Sequence, residues 1–165
     1  MAVSATTRQN YEAVSYRGPN LAMHSAQARE IIPITAATTL DIKQSGALVV
    51  FDVAAGATVT LPSPTLGAYF DFQTATTITS GSAKVLTGLS TEFLLGAIST
   101  VNSGATTAQA FAANGTTHRS VNGNGTTTGG IIGDNYRLTA INSTQWAVSG
   151  TMVNTGTAAT MFATS

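Results

Sequence analysis

The sequence predicts an all-β fold: an antiparallel β-sandwich or barrel-like domain carrying an extended N-terminal arm. Three observations predict it. From Leu40 onward, apolar and polar residues alternate with a period of two, the pattern of half-buried strands. Turn residues recur about every 8–12 positions, the spacing of sandwich and barrel strands. No long helical pattern follows residue 40. The 29 Thr, 26 Ala, 16 Gly and 14 Ser make up half of the 165 residues, four small residue types.

Residues 1–40 read as the arm. They lack strand alternation, and Gly18-Pro19 breaks any regular element there. Asn20 is a cap for a short helix at 20–31, which Pro33 would stop. Arg8, Tyr11, Tyr16 and Arg17 are the side chains best suited to anchor such an arm on a neighbour, because Tyr and Arg dominate interface hot spots. Residues 41–165 form the β domain. Leu48–Val53 is a β-branched, aromatic run, turned by Ala54-Ala55-Gly56 into a second strand, Thr58–Leu61, that ends at Pro62. Ala68–Gln73 follows, with Tyr69 facing away from Phe70 and Phe72, and then Ala83–Thr87. Glu92–Gly96 reads as a short strand or a helical turn, and Ala108–Ala112 as a strand. Asn122-Gly123-Asn124-Gly125 carries a tight-turn signal. Residues 136–141 and 145–152 form a hairpin across Asn142-Ser143-Thr144. Phe51, Val59, Leu61, Phe70, Phe72, Leu138, Trp146 and Val148 are expected to line the interior. Gly-Thr dipeptides recur, but no fixed period indicates a solenoid.

Charge narrows the function. Charged residues are 8% of the chain, with 7 basic and 7 acidic side chains, against about 25% charged in an ordinary soluble domain. So few cations cannot release many counterions, which argues against nucleic acid as a partner. No apolar run reaches a membrane-spanning length, and the first eight residues lack the apolar core of a secretory signal. The chain contains no cysteine. A nearly uncharged surface is a solubility problem that coverage within an assembly would solve.

Candidate chemistry is sparse. His24 and His118 lie in different segments; a metal site would need them to meet and recruit a carboxylate such as Asp134, and exposed loop histidines are the simpler expectation. Asp41, Asp52, Asp71, Glu92 and Asp134 show no acid/base spacing. Asp52 and Asp71 sit in apolar strands and are expected to be partly buried, paired with Arg137 or Lys84. No nucleophile elbow or phosphate loop occurs, and Gly123-Asn124-Gly125 is a turn rather than a dinucleotide loop. These observations imply no cofactor, no metal and no catalytic residue.

Two segments resemble a known family. Val49–Pro62, followed by Gly67 and Tyr69-Phe70-Asp71-Phe72, and Thr128–Ile141, followed by Gln145–Gly150, resemble in their order the capsid decoration (cement) proteins of tailed bacteriophages. The resemblance covers residues 46–153. It implies a non-enzymatic structural virion protein on the outer surface of the phage head. It further implies the major capsid protein as partner, a homotrimer at local threefold positions, and capsid stabilisation as the role. The alternative is a β-module of a tail fibre or tail tip that binds a host receptor or glycan. An enzyme, such as a carbohydrate-active β protein, is the third reading.

Overall fold

The computed structural model describes residues 29–104 and 107–165. Among them are twelve strands: β1 (Ile31–Ile34), β2 (Thr38–Thr39), β3 (Leu48–Phe51), β4 (Ala57–Thr60), β5 (Tyr69–Thr74), β6 (Ala83–Leu86), β7 (Phe93–Asn102), β8 (Ala108–Asn114), β9 (Ser120–Gly123), β10 (Asn135–Ala140), β11 (Gln145–Asn154) and β12 (Phe162–Ala163). They form a seven-stranded sheet ordered β1-β3-β5-β10-β11-β7-β8 and a five-stranded sheet ordered β12-β9-β6-β4-β2. One hydrophobic core joins the inner faces of the two sheets. The all-β sandwich is as expected, and all eight residues predicted for the interior are buried.

The sheets are mixed rather than antiparallel. From β1 to β6 consecutive strands alternate between the two sheets, so sheet neighbours in this half run parallel. Ile31 pairs with Leu48, Leu48 with Asp71, Thr38 with Val59, and Ala57 with Ala83. This is solenoid-like winding with coils of unequal length, which is why no fixed period appears in the sequence. The turns of successive coils stack backbone on backbone. Gly56, at φ +74°, leaves so little room that a Cβ would lie 2.5 Å from the Ser82 carbonyl oxygen. Gly81, at φ +70°, meets the Ala55 carbonyl oxygen at the same distance. Only glycine fits such a left-handed, backbone-to-backbone contact.

From β7 on, the chain makes hairpins. β7 pairs antiparallel with β8, and β10 with β11; the second hairpin is as expected, and its register sets Ala140 opposite Trp146. A parallel β7–β11 ladder joins the two hairpins. The short element expected at Glu92–Gly96 is thus the start of a ten-residue strand, because Leu94, Ile98 and Thr100 keep the inward alternation going past Gly96. Gly123, expected in a turn, closes β9, and the turn begins at Asn124.

The β domain begins at Ile31, ahead of the expected boundary at 40. Pro33 does not stop a helix; it sits in β1, an edge strand of the larger sheet, where its missing N–H is tolerated. The remainder of the helix expected at 20–31 lies outside the described residues, as do Arg8, Tyr11, Tyr16 and Arg17.

Candidate interaction surface

Strand geometry builds a broad outer face on the seven-stranded sheet. Successive side chains point to opposite faces, so burying Phe70 and Phe72 turns Tyr69, Asp71 and Gln73 outward. Register then sets Thr139, Arg137 and Asn135 beside them. Ala147, Ser149 and Thr151 follow on β11, then Leu95, Ala97 and Ser99 on β7, and Ala110 and Ala112 on β8. Among the strand positions of this face the charged residues are Asp71 and Arg137, and they neutralise each other. The β7–β8 end is small and apolar, with Leu95 and Val101 exposed.

The Asp71–Arg137 pair is a bidentate fork. Arg137 Nε donates to Asp71 Oδ1 at 2.7 Å and Nη2 donates to Oδ2 at 2.8 Å. The guanidinium lies 4.6 Å above the Tyr69 ring. The Asp71 hydrogen bond holds the guanidinium proton more firmly than usual. Half of the Arg137 side chain stays exposed. A planar cation fixed by a carboxylate along its edge and an aromatic ring beneath its face is preorganised to receive a partner, since its rotamer freedom is already spent.

The other residues singled out by sequence scatter. Asp71 pairs with Arg137 as expected, but Asp52 does not share in that pairing. It lies just beyond β3, exposed, and accepts from the Thr76 hydroxyl at 2.6 Å. Lys84 stands on the other sheet, opposite Thr58 and Asn122. Asp41 caps the 3-10 turn Ile42–Gln44, and Glu92, buried, accepts from the Leu89 N–H. His118 Nδ1 accepts from the Asn114 N–H at 3.2 Å, and its ring packs near Phe162. His24 lies outside the described residues. Among the described residues no three His, Asp or Glu side chains gather as a metal site would require.

Asp134 is fully buried. Its carboxylate accepts from the N–H groups of Gly130 (2.6 Å), Ile131 (3.2 Å) and Val153 (2.6 Å). Burial lifts its pKa from 3.8 to about 6, against the pull of those three donors. Burial, with the Asp134 charge adding to it, also pushes the Tyr136 hydroxyl upward. The arrangement fixes the Gly129-Gly130 turn to β11; it is a structural carboxylate.

Comparison of the chain with family models, curated proteins and solved structures finds no match. The Tyr69–Asp71–Arg137 end of the face was legible in the sequence as alternation. The β7–β8 end was not, because it depends on a parallel pairing of Phe93–Asn102 with Gln145–Asn154. The signal that would have found it is the inward series Leu94, Ile98 and Thr100.

Proposed function

We propose that the protein is a structural virion component, a capsid decoration protein that binds the outer surface of a phage head and stabilises contacts between capsomers. The observation that carries this reading is the outer face of the seven-stranded sheet. It is wide, built of small side chains, and its strand-borne charges cancel. Interface cores are depleted of charge and enriched in Tyr and Arg anchors, and Tyr69 and Arg137 supply such anchors here. The resemblance over residues 46–153 points the same way.

In this reading the partner is the major capsid protein and the protein acts as a homotrimer. Residues 1–30, with Arg8, Tyr11, Tyr16 and Arg17, grip capsid protein or an adjacent subunit. Three arms acting together turn a weak contact into a lasting one. Deleting residues 1–30 is expected to leave the β domain folded while greatly weakening attachment to undecorated heads. Quantitative mass spectrometry of purified virions tests the location. Hundreds of copies per particle support decoration, whereas a few copies at the tail favour the receptor-binding tip.

A further inference from the structure

A sheet ends in edge strands, whose outer N–H and C=O groups are open to pairing with another chain. Among the described residues the two sheets end in four such strands: β1, β8, β2 and β12. Three of them are blunt. β2 and β12 are each two residues long. β1 has four residues and carries Pro33. The Asp52 N–H donates to the Ile34 carbonyl at 3.1 Å, so Ile34 turns its backbone groups toward β3 and Pro33 turns its own outward. The position that faces a newcomer therefore has no N–H to give. β8 is different. Its seven residues, Ala108–Asn114, include no charge and no proline, and its register with β7 is unbroken. The Gly115 N–H donates to the Leu94 carbonyl at 2.8 Å, which fixes the parity of this ladder. Gln109, Phe111 and Ala113 turn their backbone groups to β7; Ala108, Ala110 and Ala112 turn theirs outward. The Asn114 N–H shares the outward parity and is taken by His118 Nδ1, which closes the edge at that end. The three outward alanines are exposed, and among the described residues no further hydrogen bond engages their backbone.

Long edges are ordinarily guarded by charge, proline or a covering element. A strand that pairs with β8 must bring an open edge of similar length. The other three edges of this chain cannot, whereas a second β8 can. The strand is also self-complementary. Paired antiparallel about a twofold axis at Ala110, two copies set Ala110 against Ala110 and Ala108 against Ala112. Each of these pairs exchanges both its N–H and its C=O, the groups that β7 leaves free. Gln109 then meets Phe111 of the second copy in the non-hydrogen-bonded pairs, where side chains lie closest. No charge on the strand faces its like across the axis, and a net charge of zero adds no long-range repulsion between copies. We propose that β8 joins the protein to a second copy of itself, fusing two seven-stranded sheets into one across a twofold axis at Ala110. Strand addition uses the edge of the sheet, so the outer face with Tyr69 and Arg137 stays free. A twofold contact cannot close a threefold ring; on a phage head it ties a copy in one trimer to a copy in the next. The contact does not require the capsid reading.

The test uses the full chain, whose lack of cysteine lets a single thiol be introduced. Hydrogen-bonded antiparallel partners hold their Cα atoms about 5.5 Å apart, inside the span of about 4.4–6.8 Å that a disulfide bridges. Ala110→Cys is expected to form a disulfide-linked pair under mild oxidation. Ala108→Cys and Ala112→Cys are each expected to cross-link poorly alone and readily when mixed, since only the mixture sets the thiols opposite each other. Sedimentation at up to about 1 mM reads a pairing with Kd of that order or tighter, and the wild type is expected to pair in a concentration-dependent way. Ala110→Lys, an exposed change, sets like charges across the axis and is expected to weaken pairing about tenfold or more. Ala110→Glu is expected to do the same, and mixing the two variants to restore it. Circular dichroism is expected to stay at the wild-type spectrum in both. The proposal is overturned if Ala108→Cys alone cross-links as fast as Ala110→Cys, or if Ala110→Lys sediments like wild type at every concentration. It is overturned too if deleting residues 1–30 abolishes association that Ala110→Lys retains, which assigns the contact to the arm. All of these measurements are made on free protein, so their outcome is independent of whether the protein decorates a head.

Discussion

Residues 31–86 and residues 93–163 build the same two sheets by different routes. In the first half the chain crosses to the opposite sheet at each step, and the ladders are parallel. In the second half it folds back within the larger sheet, as β7–β8 and β10–β11. The turns differ accordingly. The Asn142-Ser143-Thr144 turn closes largely on itself: the Thr144 N–H donates to Asn142 Oδ1 at 2.8 Å and the Ile141 N–H to the Gln145 carbonyl at 3.1 Å, while the Thr144 carbonyl accepts from the Phe93 N–H at 2.9 Å. The Ala54-Ala55-Gly56 turn depends on the next coil, whose Thr79 N–H donates to the Ala54 carbonyl at 2.7 Å. Turn residues therefore announce where a chain bends. They do not announce which sheet it enters next, because that is decided by contacts with chain that follows much later.

The largest expected effect tests whether the two routes share one core. The Trp146 and Phe70 rings, one from each half, lie 6.0 Å apart and both are fully buried. Trp146→Ala or Phe72→Ala is expected to cost about 3–5 kcal/mol, the usual penalty for deleting a large core side chain. Urea unfolding of either variant is expected to remain a single transition in which both halves lose hydrogen-exchange protection together. Persistent protection of residues 31–86 after 93–163 has unfolded would divide the molecule where the comparison joins it.

Asp134 is the next test, because it ties the halves together. Its carbonyl accepts from the Thr74 N–H of β5, while its carboxylate holds β11 through Val153. In the fold the carboxyl keeps its proton up to about pH 6, whereas its ordinary pKa is 3.8. Between those values the folded chain binds more protons than the unfolded one, so this group's contribution to stability falls as pH rises through the window. At about 1.4 kcal/mol per pKa unit the full change is about 3 kcal/mol. Asp134→Asn removes the titration. It also sets an NH2 against the Val153 or the Gly130 N–H, a cost that does not vary with pH. The stability difference between wild type and variant, measured by denaturant titration at pH 4 and pH 7, is expected to shrink toward neutral pH. A difference that stays constant would refute the titration.

A smaller contrast separates the two kinds of turn. Gly56→Ala forces a Cβ into a left-handed conformation against the Ser82 backbone and is expected to cost about 2 kcal/mol or more. Ser143→Ala, in the β10–β11 hairpin turn, is expected to stay within about 0.5 kcal/mol. Thermal denaturation of the two variants side by side reads the contrast, and equal losses would contradict it.

What the sequence made legible follows the same division. Alternation alone placed all eight core residues, the outward Tyr69 and the β10–β11 hairpin, since those depend on near neighbours. For Asp52 and Asp71 it left Arg137 or Lys84 open as partners, and register with β10 selects Arg137 for Asp71. The parallel coils, the full length of β7 and the strand character of residues 31–34 were not legible. Each is set by pairing with distant chain, such as Ile31 with Leu48 or Val101 with Val153.

The smallest expected effect on stability falls on the outer face, and it is the one that bears on function. Arg137 is half exposed, so its fork with Asp71 is solvent-screened, and exposed pairs contribute about 0–1 kcal/mol. Arg137→Ala and Tyr69→Ala are therefore expected to melt close to wild type. If this face meets capsid protein, desolvation at the contact makes the same two side chains far more consequential than they are in the free protein. Both variants are then expected to occupy undecorated heads much less fully than wild type at equal concentration. Arg137→Lys sharpens the reading. It keeps the charge but cannot form a planar fork across both Asp71 oxygens, so its occupancy is expected to fall toward that of the alanine variant rather than hold at the wild-type level. Variants that remain folded and decorate heads normally would remove this face from the interface and leave residues 1–30 as the attachment.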